Sequence, residues 1–120
     1  MASKEWYYFY VLACRDGSLY TGYTTDPDRR QAQHLAGTAA KYTRPASRRP
    51  NRMVMTKAFS SKSLAMSCEY HFKQLSRQEK EAELYQAGVV DLNYASSAAR
   101  VDLDCSSPFF MAWQAKIASK

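Results

Sequence analysis

Two phenols and a guanidinium in the first quarter of the chain, Tyr10, Tyr20 and Arg30, are spaced so that they could work together on a phosphate. Phenol hydroxyls and guanidinium groups hydrogen-bond to oxygen and stabilise charge that develops on it. His34 follows Arg30 by four residues, which puts both on one face if the segment is helical. Any one of these tyrosines alone would serve equally well as a core strand residue. Their spacing around a turn is what points to chemistry.

The elements that must position them can be read from local pattern. Trp6–Ala13 is rich in aromatic and β-branched residues and reads as a strand. Arg15-Asp16-Gly17-Ser18 reads as a tight turn in which Gly17 can take positive φ, and Leu19–Thr24 as the returning strand. Tyr10 and Tyr20 then lie on neighbouring strands. Asp26 and Pro27 open a helix as N-cap and first residue, and Gly37 ends it. Thr38–Arg52, with Pro45 and Pro50, reads as a loop, and Met53–Phe59 as a third strand. Serines 60, 61 and 63 offer a cap for a helix running to about Leu75, with Leu64, Cys68, Phe72 and Leu75 expected to face the core and Glu69 and Lys73 on another flank. Ser76 and Glu79 form a capping-box pattern for a last helix that ends near Gly88. Residues 1–88 are therefore expected to form the main domain. Residues 89–120 form an extension without clear pattern, whose apolar run Phe109–Trp113 is expected to dock on the body.

Composition narrows the function. A chain of 120 residues with 46% hydrophobic residues supports one core and not two ordinary domains. The longest apolar run, Trp6–Cys14, is too short for a bilayer, which needs about 20 residues, and the N-terminus lacks a secretory apolar region. Cys14, Cys68 and Cys105 are odd in number and far apart, which points to reduced thiols and a cytoplasmic location, and against a zinc module or a disulfide framework. The net charge of +6 favours an acidic partner. All of that excess lies in residues 1–60, and no acidic residue occurs between Asp28 and Glu69. Lys41, Tyr42, Arg44, Arg48, Arg49, Asn51 and Arg52 gather in the loop, a mixture suited to phosphate contacts and base stacking. A solvated basic face is the plainer alternative, and the clustering favours a nucleic-acid groove over it.

Trp6 to about Leu84 resembles the GIY-YIG nuclease domain, and most closely its small bacterial single-domain members. The resemblance rests on Asp16-Gly17-Ser18-Leu19-Tyr20-Thr21-Gly22, on Arg29-Arg30 with a following His, on Lys41-Tyr42-Thr43-Arg44, and on Leu75-Ser76-Arg77 with Glu79-Lys80. Several separated motifs in the right order are a specific signal. This chain departs from the wider pattern in having Tyr8 at the first glycine and Thr21 at the central isoleucine of the second motif. The fold implied is α+β, a small three-stranded antiparallel sheet flanked by helices.

The resemblance also implies roles. Tyr10 and Tyr20 match the motif tyrosines, Arg30 the family arginine, His34 a position held by Tyr or His, and Glu69 the glutamate that holds a single Mg2+ (or Mn2+). Such a cation keeps several waters, so one carboxylate plus a substrate phosphate can suffice. Arg30 would hold a non-bridging oxygen by a charge-assisted hydrogen bond. Tyr10 is the expected general base, its pKa lowered by the cation and Arg30, with Tyr20 or His34 shaping the proton path. The expected activity is Mg2+-dependent DNA endonuclease action on single-stranded DNA. Two alternatives remain at this level: a repair nuclease acting on flaps or junctions, and a catalytically silent nucleic-acid-binding module.

Overall fold

The computed structural model describes residues 6–103. Strand β1, Tyr7–Cys14, turns through Gly17 into β2, Leu19–Thr24, and the two pair antiparallel with Tyr10 opposite Gly22 and Leu12 opposite Tyr20. Gly17 has φ +86°, which is why a glycine stands there, and Asp16 ties the turn by accepting from the amide and hydroxyl of Ser18. Helix α1, Pro27–Ala36, starts on Asp26, whose carboxylate accepts from the Arg29 amide at 3.1 Å. It stops at Gly37, with φ +79°.

The long loop that follows contains one short 3-10 turn, Ala46–Arg48, and leads into β3, Asn51–Phe59, which begins two residues earlier than expected. β3 pairs antiparallel with β1, with Thr56 opposite Tyr10. Helices α2, Lys62–Lys73, and α3, Arg77–Gln86, complete the body; α2 is capped by Ser61 and α3 by the full reciprocal capping box of Ser76 and Glu79.

The expected sheet of three antiparallel strands is corrected to a four-stranded mixed sheet in the order β2-β1-β3-β4. The added strand β4, Val101–Leu103, runs parallel to β3 with Val101 opposite Met55 and Leu103 opposite Lys57. Three residues are too few to show an alternating pattern, so the strand left no local signal. The apolar run Phe109–Trp113 lies outside the described residues.

The sheet has two unlike faces. Phe9, Val11 and Ala13 point to the larger core, where Ala65, Cys68 and Phe72 of α2 and Leu84 of α3 pack. The alternate residues Tyr10, Leu12 and Cys14 form a smaller cluster with Met53, against which Tyr20 packs. A register shift in the β1–β3 pairing leaves Val54 as the extra residue, so Val54 and Met55 both join the larger core while Met53 turns to the other face. Leu64, expected in the core, is exposed, and Ala65 takes its place. At 3.6 residues per turn Ala65 lies about 20° from the direction of Phe72, whereas Leu64 lies about 80° away. Cys14 and Cys68 are buried free thiols. No helix among the described residues is long and apolar enough to cross a membrane.

Candidate active site

The smaller sheet face carries the candidate site. Because alternate residues of a strand share a face, β1 presents Tyr10 there, and the antiparallel register brings Tyr20 alongside, with ring centroids 6.4 Å apart. Gly22 makes this possible. A Cβ at that position would lie 2.5 Å from Cζ of Tyr10, so only glycine lets the phenol lie across β2.

Helix α1 delivers the next two groups. Arg30 and His34 share a helical face as expected, and His34 is completely buried against the two phenols. Tyr10 Oη lies 2.7 Å from His34 Nε2, and His34 Nδ1 lies 2.7 Å from Thr43 Oγ1. The Nδ1–H tautomer is the one that gives every donor in this group an acceptor: Nδ1–H donates to Thr43 Oγ1, and the Thr43 hydroxyl donates to the Ala40 carbonyl at 3.3 Å. Nε2 is then the bare nitrogen, and the phenol donates to it. A fixed chain results: Tyr10 O–H to His34, His34 N–H to Thr43, Thr43 O–H to the backbone.

Electrostatics reinforce this assignment. Burial chiefly, then the neighbouring Arg30, press the His34 pKa down to about 4, so the imidazole is neutral at pH 7. Tyr10 goes the other way. Burial first and Tyr20 second push its phenol well above the ordinary value, and Arg30 offsets only part of that rise. Among the protein's own groups loss of hydration outweighs the guanidinium, so Arg30 by itself does not bring the Tyr10 phenol down; the lowering expected from a cation is a separate contribution. Tyr20 is also raised, mainly by burial.

Arg30 carries a buried Nε with no hydrogen-bond partner. An unpaired buried donor is costly unless something fills it, and the groups around it are neutral phenols and imidazole. Glu69 of α2 is the acidic group in electrostatic range of both Tyr10 and Tyr20. It is largely buried and forms an ion pair with Lys73 at 2.8 Å, one helical turn on. Among the described residues no cluster of three or more His, Cys, Asp or Glu side chains could hold a metal ion. One carboxylate acting on the same two phenols as a guanidinium whose Nε is unpartnered still suits a hard, hydrated cation that shares its ligand sphere with a phosphate.

The basic loop is only partly as expected. Lys41, Tyr42 and Arg44 are exposed. Tyr42 stacks on Tyr20, with centroids 5.5 Å apart, and the Arg48 guanidinium sits 4.0 Å from the Tyr42 ring centre. Arg48 is in turn held by Asp16 at 3.0 Å, so the loop is tied to the β1–β2 turn. Arg49 donates to the Arg44 carbonyl at 2.9 Å. Arg52 lies elsewhere: its guanidinium donates to the carbonyls of Asp91, Asn93 and Ala98, clamping the segment that leads to β4. Asn51, counted with the loop, is buried and donates to the His34 carbonyl. Composition treats every arginine of a basic run alike, while strand pairing turns Arg52 away.

Thr43, Gly22 and Lys73 are the site-forming residues that sequence reasoning left without a role. Thr43 and Gly22 stand inside motifs already noticed, and the Glu69/Lys73 spacing was visible as a shared flank.

Comparison with known proteins finds relatives over this part of the chain. The chain is 52% identical over 84 residues to a UPF0213 protein of Enterococcus faecalis, an alignment spanning 70% of this chain and 96% of the relative. It is 55% identical over 76 residues to a UPF0213 protein of Halobacterium salinarum, spanning 63% and 96%. The solution NMR structure of the E. faecalis protein EF2693 superposes with a TM-score of 0.51 at 48% identity, covering 76% of this chain and 95% of that one. The family model described as the GIY-YIG catalytic domain matches residues 6–82, the stretch that contains Tyr10, Tyr20, Arg30, His34 and Glu69, and the chain belongs to that family.

Proposed function

We propose that the protein is a Mg2+-dependent endonuclease that hydrolyses phosphodiester bonds in single-stranded DNA. The observation that carries this reading is the buried, unpartnered Arg30 Nε beside the Tyr10–His34 pair: an anion-seeking donor next to a ready proton path. A phosphate seated on Arg30 would fill that vacant bond and place its phosphorus near the Tyr10 hydroxyl. The attacking water passes its proton to the phenol oxygen of Tyr10 while the phenolic proton moves to Nε2 of His34, so the phenol is never left as a free phenolate; as the new P–O bond forms, the bond from phosphorus to the departing sugar oxygen breaks, and that oxygen takes a proton from solvent water. His34 becomes imidazolium, held by Thr43 through Nδ1–H. Arg30 is one of the two causes that depress His34, and an anion on its guanidinium cancels that cause, so substrate binding makes the imidazole a better acceptor.

Glu69 is the residue that would hold the divalent cation, whose charge would polarise the phosphate and favour ionisation of the attacking water. Lys73 would release Glu69 on loading. Lys41 and Arg44, exposed on the loop, would follow the phosphate backbone. A protein of this size with a single basic loop offers a narrow track, which suits a flexible single strand better than a long duplex site.

The test is incubation with labelled single-stranded, duplex and forked DNA, with Mg2+ or with chelator, resolved on a denaturing gel. Mg2+-dependent cutting of the single strand, abolished by Glu69→Ala and reduced about 100-fold or more by Tyr10→Phe, is expected. Undiminished Mg2+-dependent cutting by Glu69→Ala would refute the metal assignment, and preference for the fork would replace the single strand by branched DNA.

A further inference from the structure

A second concave feature lies on the same sheet face as Tyr10, one step along the strand. It is a cleft of about 420 Å3, within the usual range for small-molecule sites. Trp6 and Tyr8 line it, Asp28 of the first turn of α1 is at its rim, Thr56 stands on the β3 side, and Arg100 and Asp102 come from the segment that ends in β4. Two links join it to the candidate active site. Tyr8 is two residues before Tyr10 on β1, so the two share a face at a separation of about 7 Å, the scale of one nucleotide step. Thr56 is the cross-strand partner of Tyr10 itself.

The charges in the cleft identify the kind of group it takes. Arg100 is tucked between two carboxylates, donating to Asp28 at 3.0 Å and to Asp102 at 2.8 Å, and Thr56 donates to the same Asp102 carboxylate at 2.6 Å. One guanidinium against two carboxylates leaves a net negative charge, so the cleft disfavours phosphate. The carboxylates are its exposed groups, with side-chain exposure of 87% for Asp28 and 55% for Asp102 against 22% for Arg100. Carboxylate oxygens accept from N–H donors, and aromatic walls stack on flat rings. A nucleobase with an exocyclic amino group has both features. Thymine is the poorer match: its one ring donor, N3–H, stands between two carbonyl oxygens that the carboxylates repel, and it presents a carbonyl oxygen where cytosine presents its amino group.

We propose that this cleft binds the base of the nucleotide next to the scissile phosphate and selects an amino-bearing base, cytosine over thymine. The proposal rests on the nuclease reading for the identity of the ligand. The two active-site faces have different origins: the catalytic residues lie within the family match, residues 6–82, while Arg100, Asp102 and Leu103 come after it. The extension therefore completes, with Arg100 and Asp102, a cleft whose Tyr8 and Asp28 come from the common domain.

The experiment uses full-length Glu69→Ala protein and fluorescence anisotropy with oligo-dC, oligo-dT and an abasic strand of equal length. The dC strand should bind about fivefold or more tighter than dT, the low end for a specific base contact. Asp102→Asn, which can donate as well as accept, should bring that ratio close to one. Asp28→Asn, on a helix and largely exposed, should reduce the ratio in the same direction and guards against a folding defect in Asp102→Asn. Tyr8→Leu should weaken dC and dT while leaving the abasic strand unchanged. Equal affinity for dC and dT in the parent, or a preference that survives both carboxylate variants, overturns the proposal. Cleavage of mixed-sequence DNA separates the two readings: cutting by wild-type protein without base preference removes the cleft assignment and keeps the nuclease, whereas dC-selective binding without any cutting does the reverse.

Discussion

Replacing Thr43 by valine removes one hydroxyl and keeps the shape, yet it should disable the proton path two groups away. Thr43 and His34 are both completely buried, so no solvent can take over the lost bond. His34 Nδ1–H would be left without an acceptor, a deficit of about 1–3 kcal/mol for a buried polar group. The imidazole can escape that deficit by carrying its proton on Nε2 instead. It would then donate to the Tyr10 oxygen, 2.7 Å away, and could no longer receive the phenolic proton. If the whole deficit biases the tautomer, the competent form falls by about 5- to 150-fold, and the rate of the chemical step with it. DNA affinity should not change, because Thr43 touches no surface. The assay is single-turnover cleavage of a 5′-labelled strand with protein in excess, alongside a nitrogen NMR measurement of the His34 tautomer. Because Thr43 acts only through His34 and Tyr10, the double variant Tyr10→Phe/Thr43→Val should lose little beyond Tyr10→Phe alone. Wild-type turnover in Thr43→Val, or losses that simply multiply in the double variant, would refute the relay.

Three further outcomes follow from the geometry. Gly22→Ala should displace the Tyr10 ring, costing about 1–3 kcal/mol of stability by urea unfolding together with most of the activity, whereas in a Tyr10→Ala protein, where the clash is gone, the same Gly22→Ala change should cost little further stability. Arg52→Ala should speed amide exchange in Val101–Leu103 by loosening the clamp on the preceding segment, yet leave the salt dependence of DNA binding unchanged; a flatter slope would return Arg52 to the phosphate track. His34 should make the protein acid-sensitive. Its folded pKa of about 4 lies below the ordinary 6.5, so the unfolded chain binds the proton first as pH falls; stability is fully present above pH 6.5, and roughly 3 kcal/mol is lost by pH 4. Urea midpoints from pH 7 to pH 4 check this, and His34→Gln should flatten the dependence.

What the sequence disclosed depended on how local the cause was. The hairpin and α1 were legible because their signals sit inside them: Gly17 for the turn, Asp26 and Pro27 for the start, Gly37 for the stop. The convergence of Tyr10, Tyr20, Arg30 and His34 followed from the same local rules, strand alternation plus i,i+4 spacing. The inward face of α2 was misjudged by one residue at Leu64, where a large apolar side chain drew more weight than the helical angle. Thr43 was out of reach for another reason. It reaches His34 only because the loop folds back over α1, and that path is set by Tyr42 on Tyr20 and Arg48 on Asp16. Likewise β4 is defined by its partner strand rather than by its own three residues.

The place of β4 in the sheet also bears on how the protein can change. β4 joins β3 across more than 40 intervening residues, and only three residues pair. With only three paired residues at the edge of the sheet, β4 is the joint expected to open first when the molecule fluctuates, while the β1–β2–β3 body stays closed. A unit that opens alone can also be altered alone. Substitutions around Arg100 and Asp102 could reshape the neighbouring cleft without disturbing the phenols, the guanidinium or the imidazole, so the selectivity proposed for the one and the chemistry proposed for the other could evolve on separate schedules.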